Sequence, residues 1–193
     1  MQTVQALVSI MKTVIPILAL ALLSFRGYTQ SFCPSTEEQE LARLIMVYRL
    51  EKGLPPIAIS EKLTRVAQLH IKDLDAHFDP ANRDGCNMHT WSAQGAWTPC
   101  CYTRDHKQAD CMWNKPREIA DFDTDGFEIA GFGSAGLNPQ QALDMWKTSA
   151  GHNAVLINEG IWKSKTWQSV GIGIGKRFAV VWFADRADDV NCR

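Results

Sequence analysis

The chain has 193 residues, with 20 basic against 21 acidic side chains and a formal charge of -1. That near-balance lacks the basic stripe by which proteins bind nucleic-acid backbones, so no nucleic-acid partner is expected. Hydrophobic residues make up 46% of the sequence, enough for one folded core.

Residues 1–30 contain no Asp or Glu, and Lys12 is followed by an apolar run from Thr13 to Leu23. A basic start, an apolar run of this length and a small-residue exit through Gly27 and Thr29 predict a secretory signal peptide over residues 1–29. The run falls short of the roughly 20 apolar residues that a spanning helix needs. The mature form, residues 30–193, is therefore expected to have no membrane span and to be secreted or periplasmic. Met11 is an alternative start, giving a Met-Lys opening. Loss of Lys12 and Arg26 leaves 18 basic against 21 acidic residues on the mature form.

Ser35-Thr-Glu-Glu38 reads as a capping box, with Leu41, Leu44, Ile45 and Tyr48 following at helical spacing. Gly53 and Pro55-Pro56 stop this helix. A second helix starts after Ser60, with Leu63, Val66, Ala67, His70, Leu74, His77 and Phe78 on one stripe. From Asp79 to about Asp125 no period survives, and an insertion over about 80–120 is expected to be held by cross-links. The segment around Glu128-Ile-Ala reads as a short strand. Asn138-Pro139 opens a helix through Leu143 and Trp146 to Gly151, with a short helix after His152. Ser169–Ile174 and Arg177–Phe183 predict a closing hairpin around Gly175-Lys176. Gly171, Gly173 and Gly175 precede a strand instead of a helix, which predicts close packing and not a phosphate loop. Helices first and strands last imply an α+β fold in one domain.

Six cysteines remain in the mature form: Cys33, Cys86, Cys100, Cys101, Cys111 and Cys192. An even count in an exported chain implies disulfides, although six allow 15 pairings. Cys33 and Cys192 flank the domain and are expected to pair. The other four fall between residues 86 and 111 and would staple the insertion. No Cys-x-x-Cys spacing supports a zinc cluster there.

These elements together resemble the CAP superfamily of cysteine-rich secretory, antigen 5 and pathogenesis-related 1 proteins, in a bacterial-like form. The resemblance rests on Ala67-x-x-His-x-x-Asp73-Leu in the second helix, Gly126-Phe-Glu128-Ile-Ala, Trp146-x-x-Ser-x-Gly-His152-Asn, and the closing strands. It covers residues 35 to 184. It implies a three-layer α-β-α sandwich with a central antiparallel sheet and an open cleft. In many members two His and two Glu line that cleft. Residue by residue, His152 matches the second His, Glu128 the first Glu, and His89 is the candidate for the first His. The second Glu would stand near Ser149, where this chain has none.

Neutral imidazole is the commonest metal ligand, so His89 and His152 are the candidate ligands for Zn2+ or another divalent cation, with Glu128 as third donor or as general base. No cofactor is required by the resemblance. Ser149, Trp146 and His77 complete the expected cleft, His77 being the runner-up for the first His. Trp91, Trp97 and Trp113 offer an aromatic wall, and Trp182 reads as core. Asp121-x-Asp123-x-Asp125-Gly126 opens like a calcium loop, but Phe132 stands where a bidentate Glu is needed, so an Asp-rich solvated turn is expected. A Ser149–His152 dyad lacks a third orienting residue. The first functional expectation is a secreted binding module for an extracellular small molecule, glycan or peptide, with enzyme activity not expected. The alternatives are a metal-assisted hydrolase using Glu128 as base, and a structural secreted protein without an active cleft.

Overall fold

The computed structural model describes residues 32–81 and 85–188. The expected signal peptide and the Cys33–Cys192 pairing fall wholly or partly outside these residues. Four strands form one sheet in the order β1-β3-β4-β2, with β1 Ala58–Ile59, β2 Phe127–Phe132, β3 Ser169–Ile174 and β4 Phe178–Ala184. The long pairs are antiparallel, Glu128 facing Trp182 and Gly171 facing Trp182 across β4. The two-residue β1 runs parallel to β3, so the sheet is mixed at that edge.

β2, β3 and β4 bury both faces, which is why apolar residues run continuously along β4. One face carries Phe127, Ile129, Val170, Ile172, Val181 and Phe183 against helices α1 (Thr36–Glu51) and α5 (Pro139–Thr148). The opposite face carries Ala130, Phe178, Val180 and Trp182 against α2 (Glu61–His77). The result is the expected α-β-α sandwich.

The helix starts follow their capping sequences. Ser35 Oγ accepts the Glu38 N–H while the Glu38 carboxylate accepts the Ser35 N–H at 2.7 Å. That buried carboxylate also accepts from Gln68 Nε2 at 2.9 Å and from the Ile174 N–H at 3.2 Å, tying α1 to α2 and β3. Asn138 and Gln141 form the same reciprocal cap on α5, with Pro139 in the first turn. At Ser149 the backbone turns extended (φ -95°, ψ 114°), so α5 stops there and α6 runs Ala150–Leu156. His152 thus lies inside a helix that begins earlier than the sequence pattern predicts.

Glycines set the distance between α2 and the sheet. A Cβ on Gly171 would lie 2.1 Å from the Leu63 carbonyl carbon, and one on Gly173 would lie 2.7 Å from Ala67 O. Backbone rests on backbone, as the close-packing expectation requires.

The segment expected to be irregular carries two short helices, α3 Ala109–Trp113 and α4 Lys115–Ala120. Both are too short to display a period, which is why the pattern misses them. Disulfides Cys86–Cys101 and Cys100–Cys111 cross-link the insertion, and Trp91 and Cys100 exchange backbone hydrogen bonds at 3.0 Å. In the Asp-rich turn, Asp123 and Asp125 pair with Arg117 at 3.1 and 2.8 Å. Among the described residues, no helix is long and apolar enough to cross a membrane.

Candidate functional site

The site is built on β2, the edge strand next to β4. Glu128 points to the α2 side of the sheet, where His70 of α2 meets it: His70 Nδ1 lies 2.6 Å from Oε1. The second oxygen, Oε2, lies 2.7 Å from Nδ1 of His89 in the insertion. The glutamate side chain is fully buried. Burial alone would raise its carboxyl; the His70 and His89 rings outweigh that and hold it below the ordinary carboxylate value. An ionised carboxylate only accepts, so both imidazoles donate from Nδ1. His70 also donates Nε2–H to the Thr90 carbonyl at 2.9 Å. His89 is left with an Nε2 that has no partner among the described residues.

Aromatic packing fixes His70. Its ring stacks on Trp91 with centroids 4.2 Å apart and planes 8° from parallel, and Trp182 meets it edge-on at 6.3 Å. The buried Lys115 ammonium sits 5.3 Å from the Trp91 ring centre and donates to Thr98 O and Glu118 Oε2. One turn along α2 from His70, Asp73 accepts both the N–H and the hydroxyl of Ser92. Two side chains of one helix thereby hold the insertion.

His89 is positioned by the insertion itself. Its N–H donates to Asn87 Oδ1 at 2.9 Å, and the Asn87 N–H donates to Tyr102 O at 2.8 Å. Tyr102 N–H in turn donates to Thr90 Oγ1 at 2.9 Å. The Cys86–Cys101 bridge closes this unit. The Tyr102 ring meets the His89 ring edge-on at 5.1 Å.

A cavity of about 560 Å³ opens at this point, with His89, Glu128, Ser149 and His152 at one pole. Trp113, Phe127, Ile129, Val155 and Trp162 form its apolar walls. His152 Nδ1 is buried with no hydrogen-bond partner among the described residues. Burial, followed by the proximity of His89, lowers the His152 pKa from its ordinary value. Tyr102 and His106 also line the cavity and face each other, Tyr102 Oη to His106 Nδ1 at 3.0 Å.

Sequence reasoning brought His89, Glu128, His152 and Ser149 to one place, and all four line this cavity. Trp146 and His77 do not. Trp146 is fully buried in the core, its Nε1 donating to Ala130 O at 3.1 Å, because that face of α5 packs on β2. His77 is the last residue of α2 and is exposed, the buried stripe ending at Leu74. The aromatic wall is divided: Trp113 lines the cavity, whereas Trp91 is buried beneath His70. His70, read from the sequence as a satisfied core or boundary histidine that could face the site, is buried with both ring nitrogens bonded, one of them to Glu128. Its one signal was a polar ring on an otherwise apolar stripe, one turn before the buried Asp73.

The donor set does not fit a three-ligand metal centre as arranged. Each Glu128 oxygen accepts one imidazole N–H, and the fully buried carboxylate offers no exposed face to a cation. Among the described residues, no three His, Cys, Asp or Glu side chains converge as metal ligands.

A buried carboxylate held by two histidines thus lies beside a disulfide-stapled cavity on an α-β-α sandwich. The cysteine-rich secretory protein (CAP) family model matches residues 42–164, and the chain belongs to that family. That span includes His70, His89, Glu128 and His152. Comparison with curated proteins gives no match. Among solved structures, an extracellular SCP-domain protein of Bacillus anthracis superposes with a TM-score of 0.56 at 18% identity, over 78% of this chain and 40% of that one. A cysteine-rich secretory protein of Staphylococcus aureus gives 0.50 at 15%, over 78% and 38%. An outer surface protein of Borrelia burgdorferi gives 0.52 at 16%, over 80% and 96%. This chain therefore spans well under half the length of the Bacillus and Staphylococcus proteins.

Proposed function

We propose that this is an exported CAP-domain binding module whose cavity receives an extracellular ligand against His89 and His152. The observation that carries the reading is a cavity lined by His89 and His152 in which His152 Nδ1 is buried without a hydrogen-bond partner among the described residues. Buried polar atoms normally find partners, so such atoms mark a place for an incoming group. Export is supported by the leader-like residues 1–29 and by the stapled insertion. The Bacillus and Borrelia neighbours are described as extracellular and outer-surface proteins.

Within this reading Glu128 is a positioning residue. It accepts from His89 Nδ1 and so turns the other ring nitrogen toward the cavity. The hydrolase alternative requires Glu128 to take a proton from water, and its side chain is fully buried behind the two imidazoles it accepts from. The test uses Gly151, which lines the cavity on α6 and has nothing within 4 Å of where its Cβ would stand. A fragment library screened by NMR against the mature chain should give binders that Gly151→Phe loses while its circular dichroism is unchanged. A screen whose binders are all indifferent to Gly151→Phe and to His152→Ala would leave only a structural shell.

A further inference from the structure

We propose that the Cys100–Cys111 disulfide is a redox latch on one wall of the cavity: a dithiol reductant that breaks it frees residues 103–112 and opens that wall. Control of a ligand by this latch rests on the reading above; the latch itself rests on how the wall is fastened.

Residues 103–112 form a strap bonded almost entirely to itself. Among the described residues, all its hydrogen bonds and ion pairs end within residues 102–114. Thr103 and Lys107 bond Asp105, His106 bonds Thr103 and Tyr102, Ala109 bonds His106, Cys111 bonds Gln108, and Asn114 bonds Asp110. Of residues 103–112 only Met112 is buried. His106 sits at φ 58°, in the left-handed region that side chains disfavour. The strap's ends are fixed, since Tyr102 donates to Thr90 Oγ1 and Trp113 O accepts the Gly126 N–H. Between those ends the covalent fastening is Cys100–Cys111.

The same strap is a cavity wall. His106, Ala109, Met112 and Trp113 line the cavity. Asp110, Cys111 and Asn114 line a second cavity of about 580 Å³, and Trp113 borders both. Helix α3 is therefore a partition, with its i, i+3, i+4 stripe on one side and its bridged cysteine on the other. A reductant in the outer cavity reaches Cys111 without entering the inner one.

The neighbouring bridge is held differently. The Asn87 N–H donates to Tyr102 O at 2.8 Å, joining the residues next to Cys86 and Cys101. Once reduced, those two thiols stay side by side at high effective concentration and close again. Cys100 also stays, tied to Trp91 by two backbone bonds at 3.0 Å, whereas Cys111 leaves with the strap. In the reduction, a thiolate of the dithiol attacks one sulfur of the bridge, forming a mixed disulfide and releasing the other cysteine. The second thiol of the reductant then displaces the first. Two electrons pass to the bridge, the reductant leaves as a disulfide, and its two protons end on Cys100 and Cys111.

The experiment is graded dithiothreitol on the mature, oxidised chain, quenched with iodoacetamide for peptide mass mapping. Hydrogen exchange and ¹³C-methyl methionine NMR with a soluble nitroxide follow on the same samples. Label should appear on Cys100 and Cys111 before Cys86 and Cys101. A bridge closing a loop of this size restrains opening by roughly two decades, so the His106, Ala109 and Cys111 amides should exchange about 100-fold faster after reduction. The Met112 methyl should broaden, while that of Met145, which lies over Gly131, should not. Paired Cys100→Ser and Cys111→Ser should broaden Met112 without reductant; should that variant not fold, the dithiothreitol series decides alone. Label appearing first on Cys86 and Cys101, or on all four only as far-UV circular dichroism is lost, overturns the latch. So does a Met112 methyl that stays shielded in chains labelled at Cys100 and Cys111. Every readout is free of ligand, so a failed fragment screen leaves the latch standing and a failed latch leaves the binding reading standing.

Discussion

Replacing Glu128 by alanine removes the one acceptor shared by two imidazoles. His70 and His89 Nδ1 lie 2.6 and 2.7 Å from the carboxylate oxygens, and the carboxylate is fully buried. Hydrogen bonds to charged groups contribute about 1.5–3 kcal/mol each, and removing one partner of a buried ion pair costs about 3–5 kcal/mol. His70 cannot turn to a new partner, because Nε2 is held by Thr90 O and its ring is stacked on Trp91. Glu128→Ala should therefore cost about 3–5 kcal/mol in urea unfolding followed by tryptophan fluorescence, with the denaturant slope unchanged. Glu128→Gln keeps the shape but presents one donor where two acceptors are needed, so about 1–3 kcal/mol is expected. A Glu128→Ala chain within about 1 kcal/mol of the unmodified protein would refute the clamp, since that is the scale of an ordinary surface change.

Three further outcomes follow from the packing and charge. Gly171→Ala puts a methyl group 2.1 Å from the backbone of Leu63, so α2 must lift from the sheet and thermal unfolding should show a loss of about 3 kcal/mol. Replacing Cys100 and Cys111 by serine opens a bridge of sequence separation 11. Stability should fall by about 3 kcal/mol, and hydrogen exchange should accelerate across residues 86–111 before the sheet responds. Burial holds His152 below its ordinary value of 6.5, with His89 adding to the effect. The unfolded chain then takes up a proton that the folded chain refuses, so stability falls as pH drops below 6.5 toward the folded value. Glu128, held below 4.5, adds its own loss only under more acid conditions. Melting temperatures from about pH 7.5 down to about pH 5 should decline less steeply in His152→Gln; equal slopes would refute the burial of that ring.

The parts of the fold legible in the sequence are those that local chemistry writes. Ser35 with Glu38, Ser60, and Asn138 with Pro139 announce helix starts because their side chains bond backbone groups within three residues. The glycines of β3 announce close packing, and the contact turns out to be with α2. Elements defined by distant partners left no trace: β1 is two residues whose pairing partner is Ser169-Val170. In the site, Gly-rich and Trp-rich contexts pointed to His89, Glu128 and His152. His77 was misread because helical phase continues past the last turn in sequence but not in burial. Trp146 was misread because a motif residue served the core instead of the cleft. His70 was readable as a satisfied core or boundary histidine, but not its partner: Glu128 lies 58 residues away and nothing in an apolar stripe records that.

The clamp on Glu128 is tested most directly by the histidine side-chain resonances in a ¹⁵N-labelled sample. Two protected, downfield Nδ1–H protons are predicted, one on His70 and one on His89, and both should disappear in Glu128→Ala. Their absence from the unmodified protein, or their persistence in the variant, would contradict the account.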